Sequence, residues 1–224
     1  MNLGYKNVNS IIFKSFLIIL LIPILFGILS GCSPKSLNDC GYQQNIYGQR
    51  VSWKTKDPIP VYINPSVPVA LRPAIYRAAL TWQKFAGRKI FQILEDLNSV
   101  ARTPAKDKKN AIYFLTEWES DRTSEQGRTS VYWASDEIQE ADIRINGADF
   151  VYYDQDPKQL VKMNPQLKTN EAYNFEALVL HELGHFLGLK HRDGNGTVMA
   201  THLSSFSNRV NLASSDASAV QCEY

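Results

Sequence analysis

The chain has 224 residues, 44% of them hydrophobic, with 24 basic against 22 acidic residues and a formal charge of +2. That length fits a single domain with a proper core behind a short leader. Such a balanced charge argues against a nucleic-acid binder, which needs a basic face to neutralise phosphates.

The first elements in chain order are those of a leader. Lys6 and Lys14 give a positive start with no acidic residue, and residues 15–29 are almost wholly apolar. The run is short for a membrane span, which needs about 20 apolar residues. Pro23 and Gly27 weaken it further as a helix. Residues 1–31 therefore read as a secretory signal peptide, the alternative being a retained N-terminal anchor helix. Leu29-Ser30-Gly31-Cys32 then resembles the bacterial lipobox, in which the leader is cut before a cysteine that becomes lipidated. The resemblance implies an exported lipoprotein with Cys32 as the first mature residue and a lipid, such as palmitate, holding it to a membrane. Ser33 follows rather than Asp, which favours the outer over the inner membrane. Removing residues 1–31 takes away two lysines and no acid, leaving basic and acidic residues balanced at 22 each.

Two cysteines remain, Cys40 and Cys222. An oxidising compartment lets such a pair bridge, closing a very long loop and pinning both termini. Residues 32–57 are polar and read as a lipidated tether and lead-in, with one domain over residues 58–224. Ile59–Ile63 reads as a strand whose proline sits near the start, where it is tolerated. Residues 69–85 carry Leu71, Ile75, Ala78, Ala79, Trp82 and Phe85 at helical spacing, with Pro73 in the first turn and Gly87 as a stop. Strands follow at residues 90–94 and Ala111–Leu115, the second a continuous apolar run suited to a buried position. Residues 102–110 and 117–128 read as polar loops, residues 129–134 and 141–146 as strands. Residues 149–153 either extend the sheet or bend. A helix resumes near Ala172, and the last lies near residues 212–221. Strand, helix, strand, strand, paired strands, helix, helix makes a mixed α/β domain with parallel first crossovers.

Three of the four histidines fall in HELGHFLGLKH, residues 181–191. On a helix, His181 and His185 lie one turn apart on one face and can share a zinc ion. Glu182 sits beside the first ligand without occupying a ligand position, so it can take a proton from the metal's water and pass it on. Leu178, Val179, Leu183, Phe186 and Leu187 serve the core. Gly188 permits positive φ, so the helix can end and the chain turn back to bring His191 to the same metal. Three neutral imidazoles leave a fourth position for water, as in catalytic rather than closed structural zinc. A non-catalytic zinc clasp would use the same histidines but not Glu182.

The segment matches H-E-x-x-H-x-x-G-x-x-H at every fixed position, and in this the chain resembles the metzincin metallopeptidases. The resemblance implies one catalytic zinc and a methionine in a turn beneath it. Thr197-Val198-Met199-Ala200 is suitably placed, although Met199 alone would read as core packing. The short gap to that turn and Asp193 look like the matrixins. Leu212, Asp216, Val220 and Tyr224 resemble the closing matrixin helix, whose aspartate supports the methionine turn. Residues 141–146 look like the strand before the active-site helix. Thr201 departs from the proline often found there. Only His202 is left over, so the second zinc of the animal enzymes is not expected. Asp142, Asp154 and Asp156 read as solvated loop carboxylates and give no support to calcium. Asp39-Cys40-Gly41 echoes the pro-segment cysteine that caps zinc in animal matrixins, but the rest of that motif is missing.

The implied fold is α/β, of the α+β zincin type. It has a twisted mixed sheet of about five strands, mostly parallel with one antiparallel edge strand, and three main helices. The implied protein is a monomeric zinc endopeptidase acting on protein or peptide, with no nucleic acid. Its substrate would lie extended along an edge strand made of Thr129, Ser130, Val131, Tyr132 and Trp133. The alternative is an internal strand with its aromatics in the core. Two rivals to the enzyme stay open: a non-catalytic zinc-binding lipoprotein on the same scaffold, and a zinc hydrolase of cell-wall peptides.

Overall fold

The computed structural model describes residues 38–224, apart from Leu97 and Arg102. The leader and Cys32 lie outside the described residues. β1 (Ile59–Ile63) is followed by a 3-10 turn at Val69–Leu71 and then by α1 (Arg72–Ala86). Ala74, Ile75, Ala78, Ala79 and Trp82 form its buried stripe. Pro73 occupies the first turn, where its missing N–H costs nothing, and Gly87 ends the helix in the left-handed region at φ 70°. β2 (Phe91–Glu95), β3 (Ala111–Leu115), β4 (Gly127–Ala134) and β5 (Glu137–Asn146) complete the main sheet. Its order is β2-β1-β3-β5-β4, parallel throughout except for β4, which is antiparallel to β5 and forms one edge.

Residues 149–153 take the second of the two courses open to them, a bend rather than an extension of the main sheet. β6 (Tyr152–Tyr153) leaves the main sheet and forms a second, three-stranded one with β7 (Leu160–Val161) and β8 (Tyr173–Asn174). The Tyr152 hydroxyl fixes the bend by donating to a carbonyl of the main-sheet chain, with Gln126 O at 2.9 Å and Asn146 O at 3.0 Å. Asp142 also needs correcting. It is a buried β5 residue, not a solvated one, and its carboxylate accepts from Ala111 N at 3.0 Å. Burial raises its pKa to about 7. Asp154 is engaged as well, in an ion pair with Arg77, which also binds Glu176.

α2 (Phe175–Phe186) starts three residues later than the Ala172 the sequence suggests, because the Asn174 side chain caps Ala177 N at 3.1 Å. Every residue of α2 except His185 is buried. The helix is therefore enclosed rather than amphipathic. Trp82 of α1 donates to Leu180 O at 2.9 Å, which closes off one side. At its C-terminal end, Phe186 packs between Trp53 (ring centroids 5.2 Å) and Phe91 (5.8 Å). Such aromatic pairs add about 0.5–1.5 kcal/mol each beyond area burial. α3 (Ser214–Glu223) closes the chain.

The polar lead-in is more than a tether. Tyr42, Val51 and Ser52 are buried. Gln43 N donates to Gly188 O at 2.8 Å, and Lys190 N to Gly41 O at 2.9 Å. Trp53 Nε1 donates to Phe186 O at 2.8 Å. Residues 41–53 thus form a strap against the chain that follows α2. A disulfide joins Cys40 to Cys222 of α3. Arg50, Ser52 and Lys54 all reach the Glu223 carboxylate. Salt bridges and disulfide together hold the strap to the last helix.

Candidate metal centre and substrate cleft

Two of the histidines are placed by backbone carbonyls. His181 Nδ1 lies 2.7 Å from Val198 O, and His185 Nδ1 lies 2.7 Å from Leu189 O. A carbonyl can only accept, so both Nδ1 atoms carry the proton. Their Nε2 atoms are then left as bare lone pairs. The three Nε2 atoms of His181, His185 and His191 converge at 3.1, 3.1 and 3.3 Å. His181 and His185 cannot hydrogen-bond each other in that state, since neither has a proton to give there. Tetrahedral ligands at about 2.0–2.1 Å from zinc lie about 3.3–3.4 Å apart. The donor set and its spacing fit a zinc ion. Burial holds His181 neutral by lowering its pKa to about 3, with His185 the next cause. Burial likewise lowers His185 and His191. All three would be ready to bind metal at neutral pH without shedding protons.

The turn that returns His191 depends on Gly188, at φ +101°. The strap grips this turn from outside, through Gln43 and Gly41 on either flank of Leu189. Beneath it lies Met199, buried, with its Sδ where a side chain on Gly184 would otherwise stand. The methionine turn is held from below by Asp216. Its carboxylate accepts from Thr197 Oγ1 at 2.5 Å, Val198 N at 2.9 Å and Ala213 N at 2.9 Å. Val198 is the residue whose carbonyl orients His181. Asp216 therefore reaches the first histidine through one intervening residue. Arg192 N also donates to Met199 O at 2.9 Å, and Asp193 accepts from Thr201 N at 2.9 Å.

Residues 80–224, more than half of the chain, match the family described as Matrixin. The chain belongs to the matrixin family. A comparison with curated proteins returned no match. Matrixins are zinc-dependent metallopeptidases, and the sheet order and three helices of this matrixin agree with the zincin architecture. Cys40, being bonded to Cys222, has no thiol with which to cap a metal.

A cleft of about 670 Å³ runs past the histidines of this matrixin, between β4 on one side and residues 200–203 on the other. Of the five β4 residues picked out in the sequence, Thr129, Val131 and Trp133 line it. Ser130 and Tyr132 alternate to the opposite face, as strand geometry requires. β4 is the sheet edge, and Trp133 is 48% exposed rather than in the core.

Glu182 is almost wholly buried, and burial raises its carboxyl pKa to about 7 in the absence of a cation. Its Oε2 accepts from Thr129 Oγ1 at 2.6 Å, and that oxygen also lies 3.1 Å from Glu182 O. Gly127 faces Oε1, where a Cβ would stand only 2.9 Å away. Neither the Thr129 contact nor the Gly127 gap was foreseen. Both depend on a register between β4 and α2 that no local pattern encodes.

Proposed function

We propose that the protein is a membrane-anchored zinc endopeptidase that binds an extended peptide along β4 and cleaves it beside Glu182. One observation carries the reading: three imidazole lone pairs converge next to a buried carboxylate that is not one of the three donors. A structural zinc clasp has no use for that carboxylate. His181, His185 and His191 would hold the metal. Bound zinc supplies Lewis acidity, polarising the scissile carbonyl and acidifying the attacking water. Glu182 accepts the water's proton and returns it to the leaving amine. Thr129 holds Oε2, and the missing side chain at Gly127 leaves Oε1 open. The free edge of β4 offers backbone N–H and C=O groups to the peptide. Every group named belongs to one chain, so we read a monomer as sufficient.

The test is a peptide-library digest of the purified protein, paired with metal analysis. About one zinc per chain is expected, with cleavage stopped by a chelator and restored by zinc. A metal-free preparation that still cleaves, or a zinc-loaded one that cleaves nothing, would count against the reading.

Thr129→Val keeps the shape and removes the hydroxyl that orients Glu182. A hydrogen bond to a charged group is worth enough for kcat to fall about tenfold. KM should change little, because the backbone of β4 is untouched. Thr129→Ser should recover most of the loss. An unchanged kcat in the valine variant would remove Thr129 from the mechanism.

The anchor rests on the lipobox alone. Among the described residues no helix is long and apolar enough to cross a membrane. Cys32→Ala is expected to prevent lipidation and shift the protein from the membrane fraction to the soluble one. If the variant still sediments as an integral protein, the retained-helix alternative for the leader is the better one.

A further inference from the structure

The cleft carries a charge that the zinc chemistry does not use. Arg209 lies between the methionine turn and α3, and lines the cleft together with Leu178, Ala200 and Leu203. Its Nη1 donates to His202 O at 2.9 Å, and its Nη2 reaches Ala200 O only at 3.5 Å. Nε is shut off from water and meets no acceptor. Among the described residues no carboxylate forms an ion pair with this guanidinium. Asp216 attracts it from further away, but that carboxylate is already engaged by Thr197, Val198 and Ala213. A half-buried cation answered only by carbonyl dipoles is under-compensated.

The direction of the substrate decides what meets it. Antiparallel pairing is the stabler form, and a peptide added that way to β4 runs from the Ala134 end towards Gly127. Past Gly127 the rim continues into Gln126, whose Nε2 donates to Leu203 O at 3.1 Å. This end of the cleft, walled by Leu178, Leu203 and Arg209, therefore receives the part of the peptide that follows the scissile bond.

We propose that Arg209 is a specificity-determining residue that selects a carboxylate carried by the residue immediately after the scissile bond. Two apolar walls and a cation at the pocket suit a glutamate side chain, with its methylenes against Leu178 and Leu203 and its head on the guanidinium. A chain-terminal carboxylate at the same residue offers the same chemistry. The inference rests on the peptidase reading for its direction along β4, but binding can test it without hydrolysis.

The experiment uses the zinc-loaded full chain carrying Glu182→Gln and measures peptide binding by calorimetry. The probes are end-capped peptides differing only in Glu or Gln at one position, and a third peptide ending there with a free or amidated terminus. The glutamate peptide is expected to bind about tenfold tighter than its glutamine twin, the scale of a charge-assisted hydrogen bond. A gain from the free terminus alone would assign the carboxylate to a chain end and still support Arg209. Adding Arg209→Gln should erase the preference, and Arg209→Lys, which keeps charge but not the planar fork, should retain part of it. Equal binding of all probes, or a preference that survives Arg209→Gln, overturns the proposal. The Glu and Gln comparison needs no change at 209, so a variant that fails to fold leaves the test intact. A library digest by the unmodified protein separates the two readings. Cleavage with no acidic preference after the cut sinks Arg209 and leaves the peptidase, whereas carboxylate-selective binding without cleavage does the reverse.

Discussion

Replacing Glu182 with Gln is expected to lower peptide hydrolysis by about 10²–10⁴-fold, the usual contribution of a positioned acid–base group, while zinc stays bound. The amide has the size and shape of the carboxylate, so the space left by Gly127 still accommodates it. Its oxygen can still accept from Thr129 Oγ1. What it cannot do is accept a proton from water. His181 and His185 keep their carbonyl partners, Val198 and Leu189, because neither bond involves the 182 side chain. Zinc content and melting temperature should therefore match the unmodified protein. A folded, zinc-loaded Gln variant that cleaves at nearly the original rate would show that Glu182 is not the base. This measurement separates a hydrolase from a clasp, since a clasp is indifferent to the residue at 182.

Gly188→Ala is expected to be the most disruptive single-methyl change near the site. At φ +101° any L side chain is strained, and here the added Cβ would overlap the backbone oxygen of Val51. That oxygen cannot swing aside like a side-chain tip, because Val51 is buried in the strap and its N–H is bonded to Gln43 O at 2.8 Å. Left-handed strain alone costs about 1–2 kcal/mol. With a forced shift of two backbone segments, a total of about 3 kcal/mol or more is the expected loss in urea unfolding. The same shift moves His191, so zinc should exchange faster into a chelator. Gly87→Ala is the matched control. Its φ is +70°, but nothing stands within 4 Å of the new Cβ, so it should cost only the local strain. Equal effects at the two positions would mean that the strap does not support the turn.

Those two residues also mark how far the sequence could be read. The metal ligands and Glu182 lie within a few residues of one another, so helix geometry and one glycine were enough to bring them together. Ile59–Ile63 and Ala111–Leu115 were legible to the residue, because a buried parallel strand is a continuous apolar run with sharp ends. The edge position of β4 followed from resemblance, and a strand with no buried residue along its length agrees with it. The strap was not legible. It attaches through backbone groups of Gly41 and Gln43, which any polar segment possesses, and its few buried side chains have no period. The second sheet was missed because its strands are two residues long, too short to show alternation. Asp142 looked solvated because a carboxylate usually is, and nothing local announces that Ala111 N will meet it. Arg209 had no signal beyond being an arginine in a polar stretch.

The disulfide has a topological consequence. It spans 182 positions of sequence, so that residues 40–222 form one covalently closed ring. A protease lives among protease molecules, and exposed loops such as residues 162–170 are where a chain is nicked first. In an open chain one such cut would yield two fragments, with β1 to β7 on one and the histidines on the other. In the ring, a single cut yields one molecule whose pieces remain at high effective concentration, held through Cys40 and Cys222. Two cuts are needed before anything can diffuse away. Nicking of the oxidised protein should thus become visible on a gel only after a reducing agent is added, and the nicked form can keep its histidines, strap and β4 together.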